Sequence, residues 1–103
     1  MSTPLTSRVL DNLDAIQTIA HRNGARNVRV FGSVACGDAD ESSDLDLLVS
    51  MESGRTLFDI GAIVHELLEL LWCRVDLVTE GALHGRLRAN VLRDAVRLVE
   101  LAA

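Results

Sequence analysis

The chain has 103 residues, with ten arginines, no lysine, fifteen acidic residues and a net charge of −5. This length fits one domain over residues 1–103, and no run of 18 apolar residues predicts a membrane span. Residues 38–80 carry eleven acids against two arginines, a net charge of −9. Such an acidic centre lacks the basic face that nucleic acids need, so it argues against nucleic acid as the direct partner and suits a site for divalent cations.

The apolar residues alternate between helical and strand spacing along the chain, which predicts an α/β (α+β) fold with a small mixed sheet of three to four strands covered by helices. Thr3 as N-cap and Pro4 at the first helical position are typical of a helix start, and Gly24 is typical of a helix end. The predicted elements are, in order, a helix at 4–23, a strand at 28–31, a helical turn at 33–37, a strand at 45–50, a helix at 55–71, a strand at 75–78 and a helix at 86–95.

The helix at 55–71 carries a stripe of apolar residues that we expect to face the core. We expect Trp72 to lie in the core or an interface. Residues 96–101 could continue the last helix or form a strand, and the β-branched Val96 and Val99 favour a strand. The members of the stripe are Leu57, Ile60, Val64, Leu67, Leu68 and Leu71.

Cellular location and thiol state follow from simpler signals. The N-terminus has no apolar signal region, so we expect a cytoplasmic protein without a membrane role. Cys36 and Cys73 form no CxxC pair, and two reduced thiols are favoured over a disulfide or a zinc site.

Acidic residues stand inside two of the apolar strands. Asp44 and Asp46 flank Leu45, and alternation along a strand points both carboxylates to one face. Asp76 is enclosed in the strand Val75–Val78, where a carboxylate is costly if it faces the core. If the two strands are neighbours, the three acids can share a face and hold two magnesium ions, which favour carboxylate oxygens. Two alternatives involve no metal site: Asp44 and Asp46 could form a solvated strand end, and Asp76 could form a surface ion pair with Arg74.

A turn precedes the acids. Gly32 has no side chain, so a phosphate could approach the backbone, and Ser33 could donate its hydroxyl to a phosphate oxygen. Gly32-Ser33 alone would be an ordinary turn. Beside the three acids, the turn predicts a site for a metal–nucleotide complex. It is not a P-loop, because GxxxxGK[ST] is absent.

The spacing of these residues resembles a known family. Gly32-Ser33, ten intervening residues, Asp44-x-Asp46 and the later Asp76 are similar to the nucleotidyltransferase superfamily that includes DNA polymerase beta. The runs GSVACGDADESSDLDLLV and RVDLVTEGAL resemble its minimal nucleotidyltransferase branch. The resemblance covers about residues 28–95.

The resemblance implies more than the spacing does. Members of this branch resemble the antitoxin partners of HEPN-type ribonuclease toxins, and some transfer AMP from ATP to a tyrosine of the toxin. It implies that Asp44 and Asp46 hold both Mg²⁺ ions, that Asp76 holds the catalytic ion and helps to deprotonate the acceptor hydroxyl, and that Gly32 and Ser33 hold the triphosphate of ATP. It also implies a hetero-oligomer with the toxin.

One departure from the branch keeps alternatives open. The branch often has arginine where this chain has Cys36. Loss of this arginine side chain could weaken phosphate binding, or another arginine of the chain could replace it. A module that neutralises its toxin by contact alone is therefore one alternative function. A transferase acting on a small molecule or an RNA end is another, although such enzymes usually carry an added substrate domain.

Overall fold

The computed structural model describes residues 4–101. It alternates five helices with four strands. The elements are α1 (Leu5–Asp11), α2 (Leu13–Arg22), β1 (Ala25–Phe31), α3 (Gly32–Cys36), β2 (Leu45–Met51), α4 (Leu57–Leu71), β3 (Val75–Thr79), α5 (Gly85–Asp94) and β4 (Val96–Arg97), with 3₁₀ turns at Glu80–Ala82 and Leu98–Glu100.

The four strands form one mixed sheet in the order β3-β2-β1-β4. Strand β1 runs antiparallel to β2 and to β4, whereas β2 and β3 are parallel. Parallel neighbours need a crossover connection, and α4 supplies it. The predicted mixed sheet of three to four strands with helices is confirmed.

The first helix is interrupted where the sequence predicted one helix over residues 4–23. Asn12 leaves the helical conformation at φ −126°, and its side-chain amide donates a hydrogen bond to the Arg8 carbonyl at 2.8 Å. An asparagine side chain competes with the helical hydrogen bonds in this way, so α1 ends and α2 begins at this residue. Pro4 lies just before α1 rather than in its first turn; Thr3, predicted as the cap, lies outside the described residues.

Strand β1 begins three residues earlier than predicted, because a bulge is hidden in it. Asn27 has φ 51°, and the pairing with β2 shifts between Arg26 and Arg29. A bulge adds a residue to one strand and breaks the alternation of apolar and polar residues. The sequence pattern therefore revealed only residues 28–31.

Alternate residues of β2 face opposite sides of the sheet. Leu45, Leu47 and Val49 are fully buried in the core cluster that the helices α1, α2 and α4 cover. Asp46 and Leu48 therefore point to the other face. This second face carries the acids, so the sheet separates the main core from the candidate site.

The apolar stripe of α4 is rotated from its predicted position. Ile63, absent from the predicted stripe, is fully buried with Leu67 and Leu71. Leu57 is 82% exposed and Leu68 is 43% exposed, so the expectation that these two stripe residues face the core was wrong. Trp72, expected in the core or an interface, is 84% exposed and is not in the core. The helix is apolar over more of its circumference than the sheet can cover, so periodicity could not select the buried part.

The C-terminal segment is a short strand followed by a turn. Strand β4 pairs Val96 with Val30 of β1, which confirms the expected strand for its first two residues. Leu98 then starts a 3₁₀ turn and is buried. Both cysteines are free, as predicted. Within residues 4–101, no helix is long and apolar enough to cross a membrane.

Candidate active site

Two of the predicted acids lie side by side on neighbouring strands. Asp46 of β2 is the direct partner of Asp76 of β3 in the parallel register. Registered residues of parallel neighbours point to the same face, about 4.8 Å apart. Asp46 is half-buried and Asp76 is exposed. The sheet therefore brings these two acids together as the sequence predicted.

The third acid stands just before β2 and has an arginine neighbour. The Asp44 carboxylate lies 3.7 Å from the Arg74 guanidinium, whose side chain is 86% exposed. Arg74 thus pairs with Asp44 and not with Asp76, so the alternative of an ion pair between Asp76 and Arg74 was wrong. Because this pair faces water, it contributes only about 0–1 kcal/mol to stability.

The electrostatics of Asp46 show that the three acids act on one another. Partial burial raises the pKa of the Asp46 carboxyl, and the charges of Asp76 and Asp44 raise this pKa further. A cation beside Asp46 would reverse all three effects, because it stabilises the ionised form. The donor set therefore fits a divalent metal.

The carboxylates of the three acids do not point towards one common position. Among residues 4–101, no three His, Cys, Asp or Glu side chains are arranged to hold a metal ion. The orientation of Asp44 towards Arg74 is consistent with this. Metal binding by Asp44, Asp46 and Asp76 stays a prediction.

The Gly32-Ser33 turn lies directly against the acids. Phe31, the last residue of β1, is registered with Asp46, and Gly32 follows at φ 71°. A Cβ at Gly32 would collide with the Asp46 carboxylate. Only glycine accommodates both this conformation and this approach. The helix α3 begins at this glycine, so Ser33 and the first free backbone N–H groups of α3 directly follow the residue that contacts Asp46.

A partly buried ion pair at the far end of the same face was not predicted from the sequence. The Glu80 carboxylate accepts hydrogen bonds from the Arg29 guanidinium at 2.7 Å and from the Ser50 hydroxyl at 3.2 Å. Arg88 of α5 donates to the Glu80 carbonyl at 2.9 Å. The Arg29 side chain is only 13% exposed, and its hydrogen bond holds the pKa of Glu80 below its ordinary value.

This network joins β1, β2, α5 and the 3₁₀ turn that directly follows β3. It therefore holds β3, and with it Asp76, in place beside β2. Arg29 was the signal in the sequence that could have indicated this ion pair, because a charged residue within an apolar strand needs a partner of opposite charge. The sequence did not reveal which acid that partner would be.

Cys36 borders a small cavity next to the turn. The cavity has a volume of about 190 Å³ and is lined by Phe31, Gly32, Cys36, Asn90, Val91 and Asp94. No arginine is among these lining residues, so the described structure offers no guanidinium at this position in place of the one that the branch often carries.

Comparisons with known proteins identify the family of the chain. A family model described as a nucleotidyltransferase domain matches residues 14–98. The protein adenylyltransferase MntA of Thermococcus cleftensis is 36% identical over 92 residues, which cover 84% of this chain and 93% of that protein. A candidate protein adenylyltransferase of Methanocaldococcus jannaschii is 35% identical over 75 residues, covering 73% of this chain and 81% of the relative.

Two solved structures have the same fold. A candidate minimal nucleotidyltransferase is 48% identical and superposes with a TM-score of 0.80, covering 88% of this chain and 93% of the other. A crystal structure of a toxin–antitoxin with AMP-PNP is 22% identical with a TM-score of 0.73, covering 84% of this chain and 72% of the other, and it supports the fold alone. The chain thus belongs to the nucleotidyltransferase-domain family, and it is a nucleotidyltransferase of the minimal type.

Proposed function

We propose that this protein transfers AMP from ATP, with magnesium, to a tyrosine hydroxyl of a cognate HEPN-type toxin and thereby acts as its antitoxin. The observation that carries the proposal is the registered pair Asp46 and Asp76 with the backbone of Gly32 packed against it. A negative pair beside free N–H donors suits a metal–triphosphate complex.

Each residue would have a distinct task. Asp44 and Asp46 would hold the metal ions, and the Gly32 backbone and Ser33 hydroxyl would bind the triphosphate. The ions, when bound, would neutralise phosphate charge and favour the ionised acceptor. Asp76 would hold the catalytic ion and help to take the proton of the acceptor hydroxyl. The acceptor oxygen would bond to the α-phosphorus of ATP while the bond to pyrophosphate breaks.

The acceptor must come from another molecule. This chain contains no tyrosine, and Asp76 lies exposed on the surface of the sheet. A phenol has a pKa of about 10, so it needs a base or a cation to react at neutral pH. The name of the Thermococcus relative, a protein adenylyltransferase, supports a protein acceptor.

The test is intact mass spectrometry of the co-expressed toxin. We expect a gain of one or more AMP units with the wild-type protein and none with Asp46→Asn. Asp14→Asn, an exposed aspartate of α2 away from the site, is the matched control and should leave the modification unchanged. An unmodified toxin that is nevertheless inhibited in a stable complex would contradict the transferase proposal.

That last outcome would favour the second candidate function, an antitoxin that acts by binding alone. The observation behind it is Cys36, which lies beside the turn at a position where the branch often has arginine. A Cys36→Arg variant would then separate the two candidates. Restored AMP transfer would mean that the machinery is intact but weakened, whereas an inactive variant would support binding alone.

A further inference from the structure

A second apolar face of α4 lies open at the surface. Leu57 is 82% exposed, Phe58 is 91% exposed and Trp72 is 84% exposed, and Leu68 is partly exposed. A groove of about 440 Å³ is lined by Leu68, Glu69 and Trp72. Concentrated apolar exposure of this kind marks an interaction surface more often than a solvated one. We call Leu57, Phe58, Gly61, Leu68 and Trp72 the α4 apolar face.

These residues form a stripe separate from the one that faces the core. At 3.6 residues per turn, Leu57, Gly61 and Leu68 lie within about 40° of one another around the helix. Trp72 caps the helix with φ 55° and extends the stripe at its end. The buried Ile63 and Leu67 lie roughly 80–160° away around the helix, and the buried Leu71 lies closer, roughly 40–80° away.

The α4 apolar face belongs to the opposite side of the sheet from the acids. Helix α4 packs on the side of Leu47, and Asp46 points to the other side. An acceptor that reaches Asp76 therefore cannot cover the α4 apolar face with the same surface. The proposed transfer reaction leaves this face without an occupant.

We propose that the α4 apolar face binds a second copy of this chain, with the two α4 helices packed antiparallel around a two-fold axis. In such an interface, residue i of one copy meets residue j of the other, and j meets i. One centre between positions 64 and 65 relates four residues of the α4 apolar face in pairs, whereas Phe58 would be related to the buried Leu71 and so has no exposed partner in this register. The resulting pairs are Leu57 with Trp72, Gly61 with Leu68 and Val64 with His65.

Gly61 supports this register. A Cβ at Gly61 would meet nothing within 4 Å in the single chain, so packing within the chain does not require glycine. Glycine in an exposed helix interior is less stable than other residues. In the proposed dimer, the missing side chain of Gly61 leaves a notch that receives Leu68 of the second copy, and this would explain why the position is glycine.

The available area is sufficient for a stable dimer. The two aromatic residues and two leucines expose on the order of 500 Å² per copy, or about 1,000 Å² for two copies. Apolar atoms make up roughly 65% of a homodimer interface, so the whole interface would be about 1,500 Å², the standard size for specific complexes.

The first test is the oligomeric state of the full chain. Sedimentation equilibrium should show a concentration-dependent dimer, and the emission of Trp72, the one tryptophan in the chain, should shift to shorter wavelength as the dimer forms. Gly61→Glu should give a monomer whose melting temperature is unchanged or higher, since glutamate favours helices over glycine. Val99→Glu changes an exposed apolar residue outside α4 and should leave the dimer intact.

The second test addresses the register. In a Cys36→Ser, Cys73→Ala background, which removes both native thiols, we expect a mixture of Leu57→Cys and Trp72→Cys chains to form disulfide-linked dimers on oxidation. Neither variant alone should do so, because like residues would lie about 22 Å apart along the paired helices, beyond disulfide reach.

Three results would overturn the proposal. They are a wild-type protein that stays monomeric at high concentration, a dimer that Gly61→Glu does not weaken more than Val99→Glu does, and cross-linking of either single variant with itself at the level of the mixture. If Trp72 is covered only in the complex with the toxin, the face belongs to that partner instead.

Discussion

Replacing Asp46 by asparagine should stabilise the metal-free protein, although it removes a residue of the proposed active site. Asp46 and Asp76 are registered neighbours about 4.8 Å apart. At about 5 Å, two unit charges repel by ~0.8 kcal/mol in water and by ~3 kcal/mol at an effective dielectric constant of 20. Because Asp76 is exposed, we expect the lower part of this range, about 1 kcal/mol.

The assay is thermal or urea unfolding in EDTA. A gain of 1 kcal/mol corresponds to a rise in melting temperature of about 4–8 °C for a domain of this size. The pH dependence has a definite sign. Because the folded pKa of Asp46 is raised above the ordinary 3.8, the wild type loses stability as the pH rises through that range. The advantage of Asp46→Asn should be full at pH 7 and vanish below about pH 3.8.

Asp44→Asn is the matched control. It relieves repulsion too, but it also removes the ion pair with Arg74, a loss of about 0–1 kcal/mol. Its net effect should lie near zero. If Asp46→Asn destabilises the metal-free protein at pH 7, or if its gain persists at low pH, then repulsion among the acids is not the dominant force at this site.

Three further predictions concern the nucleotide, the division of roles and the distant ion pair. Calorimetry should detect ATP binding only with magnesium, because the acids repel a bare triphosphate; equal affinity in EDTA would refute this. Ser33→Ala should slow AMP transfer about 10- to 100-fold, the loss of one hydrogen bond to a charged group. Asp76→Asn should slow it about 10²- to 10⁴-fold, as loss of a general base does; a larger effect of Ser33→Ala would invert the assigned roles. Glu80→Gln should lower the melting temperature at pH 7, and this difference should shrink as the pH falls below the ordinary value of 4.5 for Glu80, because Arg29 lowers the folded pKa; a difference independent of pH would show that the charge of Glu80 is not responsible.

The local geometry of the candidate site could be predicted because it depends on residues close together in the sequence. Asp44 and Asp46 flank one apolar residue, and Gly32 directly follows an apolar strand, so each local geometry follows from strand alternation and turn conformation. The pairing of Asp46 with Asp76 depended on β2 and β3 being neighbours. The sequence could not establish that these two strands are neighbours, because strand order depends on contacts between residues far apart in the chain.

Features set by long-range packing could not be predicted in this way. The core position of Ile63 and the exposure of Leu57 depend on where the sheet lies against α4, and both residues suit an apolar helix equally well. The hydrogen bond between Arg29 and Glu80 joins residues 51 positions apart. The break at Asn12 was local, but the same residue also occurs within helices, so the pattern alone did not reveal it.

The order of the strands has a consequence for how the site comes apart. Asp46 lies on β2, which has a strand on either side, whereas Asp76 lies on β3 at the edge of the sheet. Backbone amides of a central strand exchange with solvent mainly through global unfolding, and those of an edge strand through smaller openings. We expect the backbone amide hydrogens of β3 to exchange with solvent first. The acidic pair would then separate in a partial opening that leaves β1, β2 and the core folded, and hydrogen exchange would report loss of the site before loss of the fold.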